Sequence, residues 1–202
     1  MTKAEFAARL KRACASVLAA EDELTEIDSR FGDADHGLTM AKIAGAISTA
    51  VDQAEGGIQA MLDDAAMAVM TLNGGSAVPL WNTWLDGMQE EAPEGNEIDV
   101  PGLQAIFARA LETLDDMSGA KVGDKTMMDA LIPASRAIIS FQGSDEAALF
   151  AAAAQAAAQG AEDSKRFVSK FGRAKSYGEK TIGTPDAGAV SMSYFFQGLA
   201  QA

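Results

Sequence analysis

Three aspartates in one short segment are the residues best suited to metal chemistry. Asp28, Asp33 and Asp35 belong to the segment DSRFGDADHG, in which glycines interrupt the acidic residues. In an extended segment Asp33 and Asp35 point to the same side, and Asp28, at the end of a preceding helix, can face them. Three carboxylates so placed repel one another unless a cation joins them, and such oxygen ligands select Mg²⁺ or Ca²⁺. The spacing is not that of an EF-hand, so the alternative interpretation is a solvated acidic turn.

His36 follows this cluster directly and is the single histidine among the 202 residues. Its position beside a glycine suits a hydrogen bond to a phosphate oxygen. The plainer interpretation is a turn residue that makes a local hydrogen bond. A third hypothesis is a phosphorylated histidine, which three neighbouring carboxylates disfavour.

Two glycine turns and a basic segment offer further polar groups. The turn Asn73-Gly74-Gly75-Ser76 is either an anion site at a helix start or an ordinary connection between helices. The turn Gly123-Asp124-Lys125-Thr126 resembles a nucleotide loop superficially, but it lacks the spacing of a P-loop and any preceding strand. Arg173 and Lys175 are either phosphate ligands or solvated charges.

Helices must position these residues, because apolar residues recur at helical intervals along the chain and Val, Ile and Tyr are scarce. The pattern predicts an all-α single domain over residues 1–202, with about eight helices in a bundle or barrel. We predict one helix from about Thr39 to Asp52, one capped by Ser144 that runs to about Phe171, and a last one over Ser191 to Ala200. The segments Arg30 to Gly37 and Gly172 to Gly188 resist a helical interpretation, and long connections of this kind are usually functional.

The composition limits the partners and the compartment. A net charge of −13 makes sequence-independent binding to nucleic acid or to an anionic membrane unfavourable. The N-terminal segment is amphipathic and no apolar run is long enough to span a membrane. The single cysteine, Cys14, lies among apolar residues and predicts a buried thiol in a reducing compartment. We therefore expect a cytoplasmic protein with no nucleic-acid or membrane partner.

Four sequence blocks, taken in order, resemble the ADP-binding L-type subunit and domain of the dihydroxyacetone kinases. The blocks are DSRFGDADHGLT from Asp28, TLNGGSAVPL from Thr71, VGDKTMMD from Val122 and KFGRAKSYGEKTIGTPDAGA from Lys170. The resemblance implies a barrel of eight antiparallel helices with the nucleotide site at one end.

The resemblance also implies the roles of individual residues. Asp28, Asp33 and Asp35 would hold two Mg²⁺ ions that bridge the phosphates of ADP or ATP. The implied nucleotide contacts are His36, Gly37, Leu38, Thr39, Ser76, Ala77, Gly119, Met127, Arg173, Asp186, Ala187 and Gly188. The chain departs from the family in three places. It has Ser76-Ala77-Val78 where Ala-Ser-Gly is frequent and Asp186-Ala187-Gly188 where Asp-Pro-Gly is common, and its segment before Gly123, which bears on Gly119, is a residue shorter.

In this family a separate K-type subunit or domain holds the hydroxyketone covalently on a histidine. The resemblance therefore implies a phosphoryl relay, in which ADP is a recycled coenzyme that a phosphohistidine on a third, phosphotransferase subunit rephosphorylates. An ATP-dependent kinase for a related triose or tetrulose is the alternative enzyme. A nucleotide-sensing module that docks onto a regulator without turnover is the alternative from another class, and the acidic triad favours catalysis over it.

Overall fold

The computed structural model describes residues 1–201. These residues form nine α-helices and two 3-10 segments, and they include no β-strand. The helices are α1 Lys3–Ala19, α2 Glu21–Ser29, α3 His36–Gln53, α4 Ile58–Met70, α5 Ala77–Glu90, α6 Val100–Ser118, α7 Met128–Ile139, α8 Glu146–Asp163 and α9 Ala187–Ala200. The 3-10 segments are Ser164–Arg166 and Arg173–Thr181. The predicted all-α class is confirmed. None of the helices in this part of the chain combines the length and the apolar character needed to cross a membrane.

Eight of the helices form a closed ring. From α3 to α9 each helix packs against the next, α9 packs against α1, and α1 packs against α3, while α2 lies outside on α3 and α9. Most connections around the ring are short, and neighbouring helices run antiparallel; the long exception joins α8 to α9. The starts of α3, α5, α7 and α9 consequently share one end of the barrel with the last turns of α4, α6 and α8. The predicted antiparallel barrel is confirmed.

An aromatic cluster joins α5, α6 and α9 in the interior of the barrel. It comprises Trp81, Trp84, Phe107, Phe195 and Phe196. Its ring pairs are mostly edge to face, with centroids 5.0 to 6.2 Å apart, an arrangement that stabilises a core beyond simple burial. Both tryptophans are therefore core residues. Cys14 is also buried as predicted, and burial raises the pKa of its thiol to about 11.

Two helices begin earlier than the sequence pattern predicts. Helix α3 begins at His36 rather than near Thr39, which places the histidine inside the first turn. Helix α9 begins at Ala187 rather than at Ser191, because the Asp186 carboxylate accepts a backbone N–H from the first turn. Both starts bring candidate site residues to the same end of the barrel.

The predicted boundaries of α8 are also wrong at both ends. Asp145, not Ser144, is the N-cap, and its carboxylate accepts two backbone N–H groups of the first turn. The helix ends at Asp163 rather than near Phe171, and the chain tightens into the 3-10 segment Ser164–Arg166. No glycine or proline marks this end, so the sequence has no stop signal there.

Candidate functional site

The three aspartates converge at the end of the barrel where α3 begins. One carboxylate oxygen from each of Asp28, Asp33 and Asp35 lies within 4.8 Å of those from the other two. Asp28 belongs to the last turn of α2 and is half-buried, whereas Asp33 and Asp35 lie in the following loop and are exposed. The structure thus brings together the acidic cluster that the sequence singled out.

Asp28 organises the loop that carries the other two aspartates. Its Oδ2 accepts hydrogen bonds from the backbone N–H groups of Asp35 at 3.1 Å and His36 at 3.4 Å. A Cβ on Gly32 would lie 2.0 Å from Asp28 Oδ1, so only glycine fits between the loop and this carboxylate. Ala34 adopts a left-handed conformation with φ of 60°. The loop therefore folds back over Asp28 and presents both exposed carboxylates on one side.

Gly37 lets α2 and α3 approach closely enough to form this arrangement. A Cβ at position 37 would lie 2.1 Å from the Glu21 carbonyl oxygen and 2.2 Å from Thr25 Oγ1. The backbone of α3 is thus in direct contact with α2. Because Asp28 lies on α2 and Asp35 precedes α3, this contact sets the distance between them.

The imidazole of His36 packs against α9 and joins it to α3. Its Nε2 lies 3.2 Å from Ser191 Oγ, and the Ser191 hydroxyl donates to the Gly188 carbonyl at 2.8 Å. Burial lowers the pKa of His36, while the charges of Asp28 and Asp35 act in the opposite direction. The ring is therefore held in place from α9. Ser191 is not among the predicted site residues, because nothing in the sequence indicates that it meets His36.

The two segments that resisted a helical interpretation meet at the triad. Arg173 Nη2 lies 2.6 Å from Asp33 Oδ2. Nearby, the rings of Phe31 and Tyr177 contact edge to face with centroids 5.2 Å apart. The second segment contains the 3-10 stretch Arg173–Thr181, which a kink at Gly178 interrupts and which the sequence does not predict. This stretch lies over the acidic loop.

The turn before α5 adjoins the first turn of α3. A Cβ on Gly74 would lie 3.1 Å from Thr39 Cγ2, which places the glycine turn beside that residue. Ser76 is exposed at the N-cap of α5 and Ala77 is its first residue. Leu38, also on α3, is 51% exposed.

Met127, Asp186 and Gly188 form a third group at the same end. A Cβ on Gly188 would lie 3.1 Å from the Met127 Cβ and 3.0 Å from Asp186 Oδ2, so these residues are in close contact. Burial and the charge of Asp129 raise the pKa of Asp186 to about 7, although a hydrogen bond from the Ala189 N–H opposes them. The structure therefore joins Met127 to the start of α9.

Gly119 closes α6. It ends this helix in the left-handed conformation, with φ of 61°, and is exposed. Apart from its chain neighbours, no described heavy atom lies within 4 Å of the place where its Cβ would be. Its contact with a nucleotide stays a prediction.

A buried lysine at this end is absent from the predicted site. Lys125 is 4% exposed, and its ammonium donates to the backbone carbonyls of Ser164 and Thr184. The sequence places Lys125 in the glycine turn Gly123-Asp124-Lys125-Thr126 but carries no signal for these distant partners. Its side chain points into the protein rather than toward the aspartates' loop.

A model of the DAK2 domain family matches residues 30–201 of this chain. The chain therefore belongs to the DAK2 domain family, and the resemblance to the ADP-binding L-type domain of the dihydroxyacetone kinases is confirmed.

The similar proteins include kinases that are longer than this chain and a separate ADP-binding subunit of similar length. The chain is 34% identical to an L-erythrulose kinase of Pectobacterium atrosepticum over 96% of its own length and 34% of that protein. It is 29% identical to the ADP-binding subunit DhaL of the PEP-dependent dihydroxyacetone kinase of Escherichia coli, over 94% of its own length and 92% of that subunit. The chain thus spans about a third of the length of the erythrulose kinases that it matches.

The fold also matches a solved structure. The dihydroxyacetone kinase from C. freundii in complex with AMP-PNP and Mg²⁺ superposes with a TM-score of 0.72 at 24% identity, over 98% of this chain and 33% of that one. At this identity the match establishes the shared helical barrel.

Proposed function

We propose that this chain binds an adenine nucleotide with Mg²⁺ and passes its terminal phosphoryl group to the hydroxyl of a small hydroxyketone held on a K-type subunit. The observation that carries the proposal is the convergence of Asp28, Asp33 and Asp35 at the end of the barrel where four helices begin. Arg173 adds a positive charge from the C-terminal segment. Carboxylates and a guanidinium are the groups that phosphoryl transfer requires.

The acidic cluster fits Mg²⁺. Oxygen ligands of one octahedral Mg²⁺, each at about 2.1 Å, lie roughly 3 to 4 Å apart. Carboxylate oxygens that are within 4.8 Å of one another need only small movements to reach this spacing. Exposed oxygens of Asp33 and Asp35 leave room for phosphate and water ligands, so we propose two Mg²⁺ ions here. Bound Mg²⁺ would neutralise the phosphate charge that repels an incoming hydroxyl.

The remaining candidate residues suit a nucleotide that extends across the end of the barrel. The starts of α3 and α5 present backbone N–H groups, which favour phosphate. We assign His36 to Thr39 and Ser76 with Ala77 to the phosphates, and Met127 with Gly119 to the base or ribose. We expect Arg173 and the turn Asp186 to Gly188 to close over the nucleotide.

The identity of the sugar is a choice between two ketoses. The similarity to a DhaL subunit supports dihydroxyacetone and a phosphohistidine-carrying phosphotransferase subunit as the donor. The similarity to L- and D-erythrulose kinases supports a four-carbon ketose, for which we propose ATP as the donor. Both proposals use the same site on this chain and place the protein in the cytoplasm, where such metabolites are phosphorylated.

We propose that His36 supports phosphate binding and does not carry a covalent phosphoryl group. Its Nε2 is already partnered by Ser191 and three carboxylates lie close by, which makes a phosphorylated ring unfavourable. Acid-labile phosphate on His36 during turnover would contradict this assignment.

The proposal is tested by reconstitution. The chain is mixed with a purified K-type subunit, Mg-ATP and either dihydroxyacetone or erythrulose, and the product is followed by phosphorus NMR. We expect one phosphorylated ketose with the wild type and none with Asp33→Asn. If ADP stays bound to the wild type through gel filtration, the coenzyme relay is favoured over free exchange. Tight Mg-ADP binding without product from either ketose would favour a nucleotide-sensing module.

A further inference from the structure

The ammonium of Lys125 is buried against backbone carbonyl groups. Lys125 is 4% exposed. Its Nζ donates to the Ser164 carbonyl at 2.7 Å and to the Thr184 carbonyl at 2.5 Å. Burial lowers the pKa of this lysine, and the carboxylates of Asp186 and Asp129 act against that shift. An ammonium is rarely buried unless hydrogen bonds replace its water. These two carbonyls supply that replacement.

The backbone around Lys125 is held so that the side chain points inward. Lys125 has φ of 60°, a left-handed conformation that long side chains seldom adopt. The Asp129 carboxylate accepts the N–H groups of Gly123 and Thr126, both at 2.6 Å, and so fixes the turn on each side of the lysine. The turn therefore keeps a strained residue in the one conformation that delivers its ammonium to the interior.

The ammonium joins three segments that are distant in sequence. It connects the turn before α7 to Ser164 at the end of α8 and to Thr184 just before α9. Ser164 adds a second link, because its Oγ accepts the Asp186 N–H at 2.9 Å. The chain from Thr184 to Asp186 is thus fastened on both sides immediately before it enters α9.

The fastened segment leads directly into the residues that face the candidate site. Ser191 Oγ, which lies 3.2 Å from His36 Nε2, donates to the Gly188 carbonyl at 2.8 Å, and Gly188 packs against Met127. A shift of the segment before α9 would therefore move contacts of both His36 and Met127. Lys125 itself does not contact the aspartates' loop.

We propose that Lys125 is a positioning residue of the nucleotide site, whose buried ammonium holds the Thr184 to Gly188 segment in the place where it meets Met127 and, through Ser191, His36. This role differs from that of a lysine in a phosphate loop, because the charge acts on backbone carbonyls and not on the ligand. The expected effect of Lys125 on nucleotide binding rests on the proposed function, whereas its restraint of the Thr184 to Gly188 segment does not.

Two variants and one control test the inference. Lys125→Met removes both hydrogen bonds at similar length, whereas Lys125→Gln retains two N–H donors. Lys170→Met is the control, because Lys170 pairs with Asp124 in the same turn from the exposed surface. Hydrogen exchange of the amides from 184 to 191 and calorimetry with Mg-ADP are measured for each. We expect Lys125→Met to speed exchange in this segment and to weaken Mg-ADP binding, each by about tenfold or more, a change of ~1.4 kcal/mol. Lys125→Gln should restore part of both, and the control should remain near wild type.

The outcomes separate this inference from the proposed function. Wild-type exchange and affinity in Lys125→Met would overturn the positioning role. If the wild type does not bind Mg-ADP, the proposed function fails. Faster exchange in Lys125→Met that is confined to residues 184 to 191 would still support the restraint of this segment by Lys125. If Lys125→Met does not fold, the same two measurements on Lys125→Gln decide the matter. Exchange that rises equally in all helices of the folded variant, or failure of Lys125→Gln to fold, would assign Lys125 to overall folding and overturn the inference.

Discussion

The guanidinium of Arg173 lies against the carboxylate of Asp33, with Nη2 2.6 Å from Oδ2, and this ion pair joins the C-terminal 3-10 helix to the acidic loop. The arginine side chain is 70% exposed, so the pair contributes on the order of 0 to 1 kcal/mol to folding. Its importance is therefore positional. It holds a positive charge next to the carboxylates that we assign to Mg²⁺.

We predict that Arg173→Ala weakens Mg-nucleotide binding without unfolding the protein. A charge-assisted contact to phosphate contributes roughly 1.5 to 3 kcal/mol, so affinity should fall about ten- to a hundredfold. Calorimetry with Mg-ADP measures the affinity, and a urea titration should give a free energy of unfolding within about 1 kcal/mol of wild type. Lys11→Ala, which removes an exposed ion pair with Asp52, controls for the change of charge. Equal loss of affinity in both variants would contradict the assignment.

A pair of glycines in α3 allows a matched test of the contact between α2 and α3. Gly37→Ala should destabilise the fold by about 1 to 3 kcal/mol, because the new methyl group would lie 2.1 Å from the Glu21 carbonyl oxygen. Gly45→Ala introduces the same methyl into open space on the same helix and should stabilise by about 0.5 to 1 kcal/mol. Urea unfolding measures both. A Gly37→Ala protein as stable as Gly45→Ala would show that the helices do not approach as described.

Asp186 should make folding stability depend on pH. Burial raises its pKa from the ordinary value of 3.8 to about 7, so the folded state favours the neutral carboxyl. The stabilisation is then fully present below the unfolded pKa and is lost as the pH rises toward 7.

Asp186→Asn should consequently be more stable than the wild type at pH 8, and the advantage should shrink as the pH approaches 4. Because part of the side chain remains accessible, we expect about 1 to 3 kcal/mol at pH 8 rather than the full value of such a shift. Asparagine keeps the N-cap of α9. Urea unfolding at both pH values gives the difference, and Asp99→Asn, at the exposed cap of α6, controls for the change of cap. An advantage that does not vary with pH would count against a buried carboxyl.

Local patterns predict the helical barrel well, and long-range contacts explain what they miss. Helix α4 is an example of a local pattern, because its buried residues Ile58, Met61, Leu62, Ala65, Ala66 and Val69 recur at helical intervals in the sequence. The predicted start of α9 is wrong because Asp186 caps this helix earlier. The backbone N–H of Asp186 also donates to Ser164 Oγ at the end of α8, a contact that the local sequence does not indicate.

The residues of the candidate site also fall into those that local sequence predicts and those that depend on long-range contacts. Asp28, Asp33 and Asp35 are close in sequence, so their spacing predicts that they converge. Arg173 was a candidate by type, but its pairing with Asp33 depends on how the barrel closes. Lys125 and Ser191 act through partners far away in the chain, and a single sequence carries no signal for such pairs.

The most direct test of the account is a calorimetric titration of Mg-ADP into the wild type, Asp33→Asn and Asp35→Asn, with Asp63→Asn as the control for an exposed aspartate on α4. Both site residues are exposed, so the variants should keep their helical circular dichroism and unfold at similar urea concentrations. We expect the wild type and Asp63→Asn to bind Mg-ADP equally, and each site variant to lose at least about a hundredfold in affinity, roughly 2.7 kcal/mol. Unchanged Mg-ADP affinity in both Asp33→Asn and Asp35→Asn would contradict the metal site on which the proposed function depends.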